Sequence, residues 1–173
     1  MIADFVAPSV RQAAFPRALA VALAVVGCGC ENVDRYSTGT GSLEGTVEPS
    51  GLVRAGFVHD AVVCLELDTA RLQSSPGTLS SRDGRFAKTP LRPIPALASD
   101  ALSNLSFADG QVRNLLFAVR DGAAAPRDAL AIVSLLDDGR VELRVLEGAP
   151  GAEGAEPLYG VFPLERKATR CSY

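Results

Sequence analysis

The sequence has few of the side chains that usually carry out chemistry. It contains no tryptophan and a single histidine, His59, and aromatic residues make up 6% of its 173 residues. A Ser-His-Asp site would have to use His59, but the adjacent Asp60 points to the opposite side of an extended strand. No G-x-S-x-G motif occurs. We therefore expect His59 to be a half-exposed strand residue and the chain not to be an enzyme.

Ligands for a metal ion are also scarce. Cys28-Gly29-Cys30 has the wrong spacing for a zinc knuckle, and only one histidine is present to complete a site. Asp137-Asp138 and the pair Glu66/Asp68 supply carboxylates of the kind found in glycosidase or calcium sites. However, Asp137-Asp138 falls in a predicted hairpin turn, and Glu66/Asp68 falls on a predicted solvated strand face or at its end. We expect no metal site and no cofactor.

Two classes of ligand are disfavoured by composition. Lysine occurs only at Lys88 and Lys167, the net charge is −3, and no basic cluster is present, so we expect no nucleic-acid partner. Sugar-binding modules usually offer aromatic platforms, whereas the three tyrosines here are scattered. A glycan- or ligand-binding module at the cell surface is nevertheless the alternative function.

The amino-terminal part has the order of a secretory signal, in which a basic flank precedes an apolar core and small residues. Arg11 and Arg17 supply the charge, and residues 18–26 supply a core shorter than the roughly 20 residues of a spanning helix. The segment at the end of this core, Val25-Val26-Gly27-Cys28, resembles the lipobox of bacterial lipoproteins. The alternatives are a buried amino-terminal strand and an ordinary signal peptide.

The lipoprotein resemblance implies cleavage after Gly27 and lipid attachment at Cys28, with the membrane as a partner through that lipid. Gly29, in place of an aspartate, implies the outer membrane by the family's sorting pattern. The chain then divides into a signal peptide (1–27), a lipidated amino terminus with a flexible tether (28–41) and a folded domain (42–173).

The remaining cysteines, Cys30, Cys64 and Cys171, are an odd number for an oxidising compartment. Cys30 lies in the tether, too close to the membrane to pair easily with the core. We therefore predict a Cys64–Cys171 disulfide. In the chain-entropy model a bond closing a loop of about 100 residues is worth about 4.7 kcal/mol.

Alternation of apolar and polar residues predicts β-strands after the tether. Residues 43–48 alternate strictly, and residues 57–68 form a longer run with Val63 and Leu65 on one face and Val62 on the other.

Asp-Gly pairs predict three hairpin turns, at Asp83-Gly84, Asp109-Gly110 and Asp138-Gly139. Prolines at 90, 93 and 95 impose an extended crossover, followed by a short helix near residues 99–105. Together, these strands and turns predict an all-β fold, a single antiparallel β-sandwich or small barrel of about eight short strands.

These observations predict a lipid-anchored, non-catalytic accessory or scaffold subunit of a larger envelope assembly, of the motility, secretion or adhesion type. The expected partner is an envelope protein, contacted through a sheet face or the proline-rich crossover. An enzyme centred on His59 ranks third.

Overall fold

The computed structural model describes residues 33–49, 54–94, 105–120, 128–147 and 158–173. Within these residues the chain forms antiparallel strands and two short 3-10 helices, so the all-β prediction is confirmed. The strands are β1 (Ser42–Thr46), β2 (Arg54–Ala55), β3 (Val62–Leu67), β4 (Gly77–Ser81), β5 (Thr89–Pro90), β6 (Arg92–Pro93), β7 (Gln111–Arg120), β8 (Asp128–Leu136), β9 (Val141–Glu147) and β10 (Leu158–Lys167). The 3-10 helices are Val33–Tyr36 and Thr69–Arg71.

The strands pair in one sheet with the order β5-β4-β3-β1-β10-β9-β8-β7-β6, and β2 pairs with β10. The two outermost strands, β5 and β6, are consecutive in the chain and are separated only by Leu91. Two Cα–Cα steps cover at most about 7 Å, so the two edges of the sheet meet there. Leu91 is buried, and its N–H donates to the Gly77 carbonyl at 2.9 Å. The sheet is therefore nearly closed and barrel-like.

The interior of this sheet is filled by every second residue of the long strands. In β9, Val141, Leu143 and Val145 are buried inside, whereas the residues between them are only half-buried. The inward residues of β7, β8 and β10 join them in one apolar core, together with Phe86 and Leu91.

One end of the sheet is closed by the residues that precede β1. Tyr36 is 1% exposed, and its hydroxyl donates to the carbonyl of Leu136 at the end of β8. Thr38 N–H donates to the Leu67 carbonyl at 2.8 Å. We call this the tyrosine end, and it also carries the β3–β4 connection and the β8–β9 turn.

The prediction of a flexible tether over residues 28–41 is wrong from Val33 onward, because these contacts fold that part against the sheet. Among the described residues, the part of the chain that packs with the sheet therefore begins at Val33 rather than at Ser42.

The opposite end is marked by Phe57, which packs edge-to-face on Phe162 with ring centroids 5.2 Å apart. Arg85 lies over the Phe57 ring at 5.4 Å. We call this the phenylalanine end. Val58, also at this end, is a large apolar side chain that is 58% exposed.

The Asp-Gly pairs form turns, but only two of them connect paired segments. Gly84 and Gly139 have φ of +78° and +88°, and the Asp before each accepts a hydrogen bond from the N–H two residues on. Gly110 also has a positive φ. However, residues 105–108 before it form no strand, so the hairpin predicted there is wrong.

The strand count also differs from about eight, because β2, β5 and β6 have only two residues each. The short helix predicted near residues 99–105 lies almost wholly outside the described residues.

Candidate functional site

The carboxyl-terminal segment, residues 168–173, turns back from β10 onto the outer face of the sheet. Cys171 is bonded to Cys64 of β3, with Cα atoms 5.8 Å apart, which confirms the predicted disulfide. Cys64 points outward because Val63 and Leu65 on either side of it fill the core. The two cysteines are 1% and 5% exposed. The disulfide is therefore a buried clasp between the segment and β3.

Polar contacts hold the same segment. The Glu66 carboxylate accepts a hydrogen bond from the Cys171 N–H at 3.1 Å, and the Glu44 carboxylate accepts one from the Tyr173 hydroxyl at 2.8 Å. Arg82 lies over the Tyr173 ring at 5.8 Å. Burial, and then the Glu44 carboxylate, raise the pKa of Tyr173 to about 12. The phenol is thus neutral and acts as a hydrogen-bond donor.

Beside this segment lies a groove of about 380 Å³ on the outer face of β1, between β3 and β10. We call it the β1 groove. Its lining residues are Glu44, Gly45, Thr46, Val62, Arg82, Pro163, Glu165 and Lys167. Two of the charged residues in it, Lys167 and Glu165, form an ion pair at 3.2 Å.

The shape of the β1 groove depends on Gly45. A Cβ at this position would lie 2.1 Å from the Pro163 carbonyl oxygen, so β10 can pass this close only because Gly45 has no side chain. Tyr173 stands at the margin of the groove, where it contacts the lining residues Glu44 and Arg82. The groove has a small apolar part, the exposed Pro163 and the mostly buried Val62, among side chains of both signs, and this chemistry suits the mixed surface of a protein.

The structure changes the interpretation of the second face of β3. Val62 on this face is 7% exposed and so contributes little accessible surface. Glu66 binds the Cys171 N–H, and Asp68 caps the second 3-10 helix by accepting from the Ala70 N–H at 3.1 Å. Both carboxylates therefore accept hydrogen bonds from backbone N–H groups. The prediction of a solvated face is wrong for Glu66.

The other acidic pair also has a local role. Backbone and side-chain hydrogen bonds from Arg140 lower the pKa of Asp138, in the turn between β8 and β9. Asp137 lies in the same turn, and its carbonyl accepts a hydrogen bond from Arg35 at 3.1 Å.

His59 lies in a turn before β3 and not in a strand. The Ala61 N–H donates back to the Val58 carbonyl at 3.1 Å, so the extended conformation begins only at Val62. Asp60 does not face away, since its carboxylate lies 3.7 Å from His59 Nδ1. Both side chains are at least 75% exposed, and a polar contact so exposed contributes little to stability.

A polar cluster on the outer faces of β7, β8 and β9 was not predicted from the sequence. Asn114, Ser134 and Glu142 are neighbours across the three strands. The Ser134 hydroxyl donates to Asn114 Oδ1 at 2.9 Å, and Arg144 forms an ion pair with Glu142. Burial raises the pKa of Glu142, and the Arg144 guanidinium opposes that shift.

This polar cluster holds the segment that precedes β7. Arg144 donates to the Phe107 carbonyl and lies over the Phe107 ring, while Asn114 and Gln111 donate to the Leu105 carbonyl at 2.8 and 2.7 Å. These bonds replace strand pairing at residues 105–108. The cluster is therefore structural. In the sequence, the polar residues of this cluster alternate with apolar ones, as they do on any solvated strand face. The alternation therefore does not distinguish the cluster.

The predicted lipidation site, Cys28, lies outside the described residues, as does Cys30. Among the residues that the structure describes, no helix is long and apolar enough to cross a membrane. The same residues contain no group of three or more His, Cys, Asp or Glu side chains placed to hold a metal ion. No protein-family model, curated protein or solved structure matches this chain.

Proposed function

We propose that this chain is a lipid-anchored protein of the cell envelope, at the outer membrane, whose sheet is a non-catalytic contact domain for another envelope protein. The observation that carries the proposal is the Cys64–Cys171 clasp beside the β1 groove. Disulfides persist in oxidising compartments, and this one fixes the segment that borders the groove. The lipobox-like Val25-Val26-Gly27-Cys28 supplies the anchor.

The β1 groove is the proposed contact site. Protein interfaces combine a small apolar centre with polar and charged side chains around it. The exposed Pro163, with the mostly buried Val62 beside it, provides such a centre, and Glu44, Arg82 and Lys167 surround it. The clasp keeps the margin of the groove in place, so a partner meets a preformed surface.

The anchor is tested by Cys28→Ser. Without the thiol no acyl chain is attached, so we expect the variant to lose incorporation of labelled fatty acid and to leave the membrane fraction. Cys30→Ser is the matched control and should behave as the wild type. A Cys28→Ser protein that still incorporates fatty acid and stays with membranes would contradict the proposal.

The contact site is tested by Thr46→Arg in a deletion strain. Thr46 is exposed on β1 and lines the groove, so a long cationic side chain there should block the partner while leaving the fold intact. We expect loss of complementation at normal protein level.

The controls are Thr40→Arg, at an exposed threonine outside the groove, and His59→Ala, and both should complement. If Thr46→Arg complements while a stable, correctly localised His59→Ala does not, the contact proposal is wrong. A catalytic or ligand-binding role at His59 would then take its place.

A further inference from the structure

The chain is already folded very soon after the proposed lipidation site. Val33 begins the first 3-10 helix and packs against the core, and Tyr36 is buried at the tyrosine end. Arg166 fixes the helix from outside, because its guanidinium donates to the carbonyls of Arg35 and Ser37 at 2.8 and 3.0 Å. The entry point of the chain into the fold is therefore held at one defined end.

Only residues 29–32 separate Cys28 from Val33. The five Cα–Cα steps between these two residues span at most roughly 18 Å when fully extended. This limit is less than half of the roughly 40 Å that a tether of a dozen residues would reach.

We infer that the tyrosine end of the sheet lies against the lipid headgroups, and that the phenylalanine end points away from the membrane. This inference rests on the proposed lipidation of Cys28. Acyl chains in the bilayer put Cys28 at the headgroup level, and the short connection then keeps Val33 close to it. β10 runs from one end to the other for ten residues, about 33 Å, so Val58 at the far end stands well clear of the bilayer.

The connection, and not charge, sets this orientation. Arg71 and Arg140 at the tyrosine end each have an acidic neighbour, at 3.5 and 2.6 Å, whereas the guanidiniums of Arg35 and Arg166 donate to backbone carbonyls. The paired arginines weaken the attraction of this end for anionic lipid, and the short connection limits its distance from the membrane at any salt concentration. The orientation should therefore persist at high salt and in vesicles of neutral lipid.

The experiment uses the full lipidated protein, purified from host membranes and reconstituted in phosphatidylcholine vesicles that contain a headgroup-linked quencher. In a Cys30→Ser background, Ser74→Cys at the tyrosine end and Val58→Cys at the phenylalanine end each receive the same fluorophore, since both positions are exposed. We expect several-fold stronger quenching at residue 74 than at residue 58, with no dependence on salt.

A second variant carries about twenty Gly and Ser residues between Asn32 and Val33, which adds a flexible span of about 25 Å. The difference between the two labels should then disappear, with fatty-acid labelling unchanged. Equal quenching of both labels without the insertion overturns the inference and leaves the anchor intact. A difference that survives the insertion overturns the role of the short connection. Absence of fatty acid on Cys28 overturns the anchor and the inference together.

Discussion

At the scale of single residues, Tyr173 connects several parts of the sheet. Its hydroxyl reaches Glu44 of β1, its ring lies under Arg82 beyond β4, and Cys171 two positions earlier is bonded to β3. Ionisation would place a negative phenolate beside the Glu44 carboxylate, in a site that burial already makes poorly solvated. The fold therefore favours the neutral phenol.

This preference makes stability depend on pH in the alkaline range. The pKa of Tyr173 is raised from its usual value near 10 to about 12. The stabilisation is fully present below pH 10 and is lost as the pH rises through 12. A difference titration of phenolate absorbance between the wild type and Tyr173→Phe should show one transition near pH 12. Glu44→Gln should move it to lower pH, and a transition at pH 10 in the wild type would refute the assignment.

Residue-scale features differ in how far the sequence predicts them. The Cys64–Cys171 pair was predictable, because an odd cysteine count and the position of Cys30 restrict the choices. Tyr36 was not predictable, because it stands in a polar stretch typical of a tether and its hydrogen-bond acceptor, Leu136, lies 100 residues away. A buried side chain with a distant partner leaves no local pattern.

At the scale of elements, periodicity predicts the long strands well. β1 and β3 lie within or close to the predicted runs of residues 43–48 and 57–68, because an inward-facing residue recurs at every second position. The two-residue strands were missed because they are too short to show alternation and are defined only by their pairing with β10, β4 and β7. The conformation of residues 105–108 was also mispredicted, because side chains of β7 and β9 donate hydrogen bonds to the carbonyls of Leu105 and Phe107.

The connection between β5 and β6 offers a test of sheet closure. Leu91 is 3% exposed in the core, between segments that pair with opposite edges of the sheet. Leu91→Ala should lower the free energy of unfolding by about 2–5 kcal/mol and speed amide exchange in β4 and β7. Its exposed neighbour provides the control: Arg92→Ala should change stability by less than about 0.5 kcal/mol. Equal unfolding midpoints for both variants would argue against a closed sheet.

At the scale of the whole molecule, the disulfide joins residues separated by 107 positions and encloses most of the sheet in one covalent loop. In the chain-entropy model a cross-link restricts the unfolded chain more as the loop lengthens. Its main effect is therefore on the stability of the whole fold. Locally, it holds the carboxyl-terminal segment on β3.

Cys171→Ser should lower the free energy of unfolding by about 2–4 kcal/mol, measured from the urea midpoint. The double variant Cys64→Ser/Cys171→Ser should show nearly the same loss, because either substitution removes the bond. Ser172→Ala, at the exposed neighbouring position, controls for changes in the segment itself. An unchanged midpoint in Cys171→Ser would show that the bond does not stabilise the fold.

The two outermost strands affect how copies of this chain can associate with one another. Thr89–Pro90 and Arg92–Pro93 are each two residues long, and each includes a proline, which has no N–H to offer. A strand from another copy finds little backbone to extend at β5 or β6, so linear polymerisation through these edges is disfavoured. Recognition by strand addition is disfavoured there for the same reason. The partner that we propose would instead contact side chains on the outer face of the sheet.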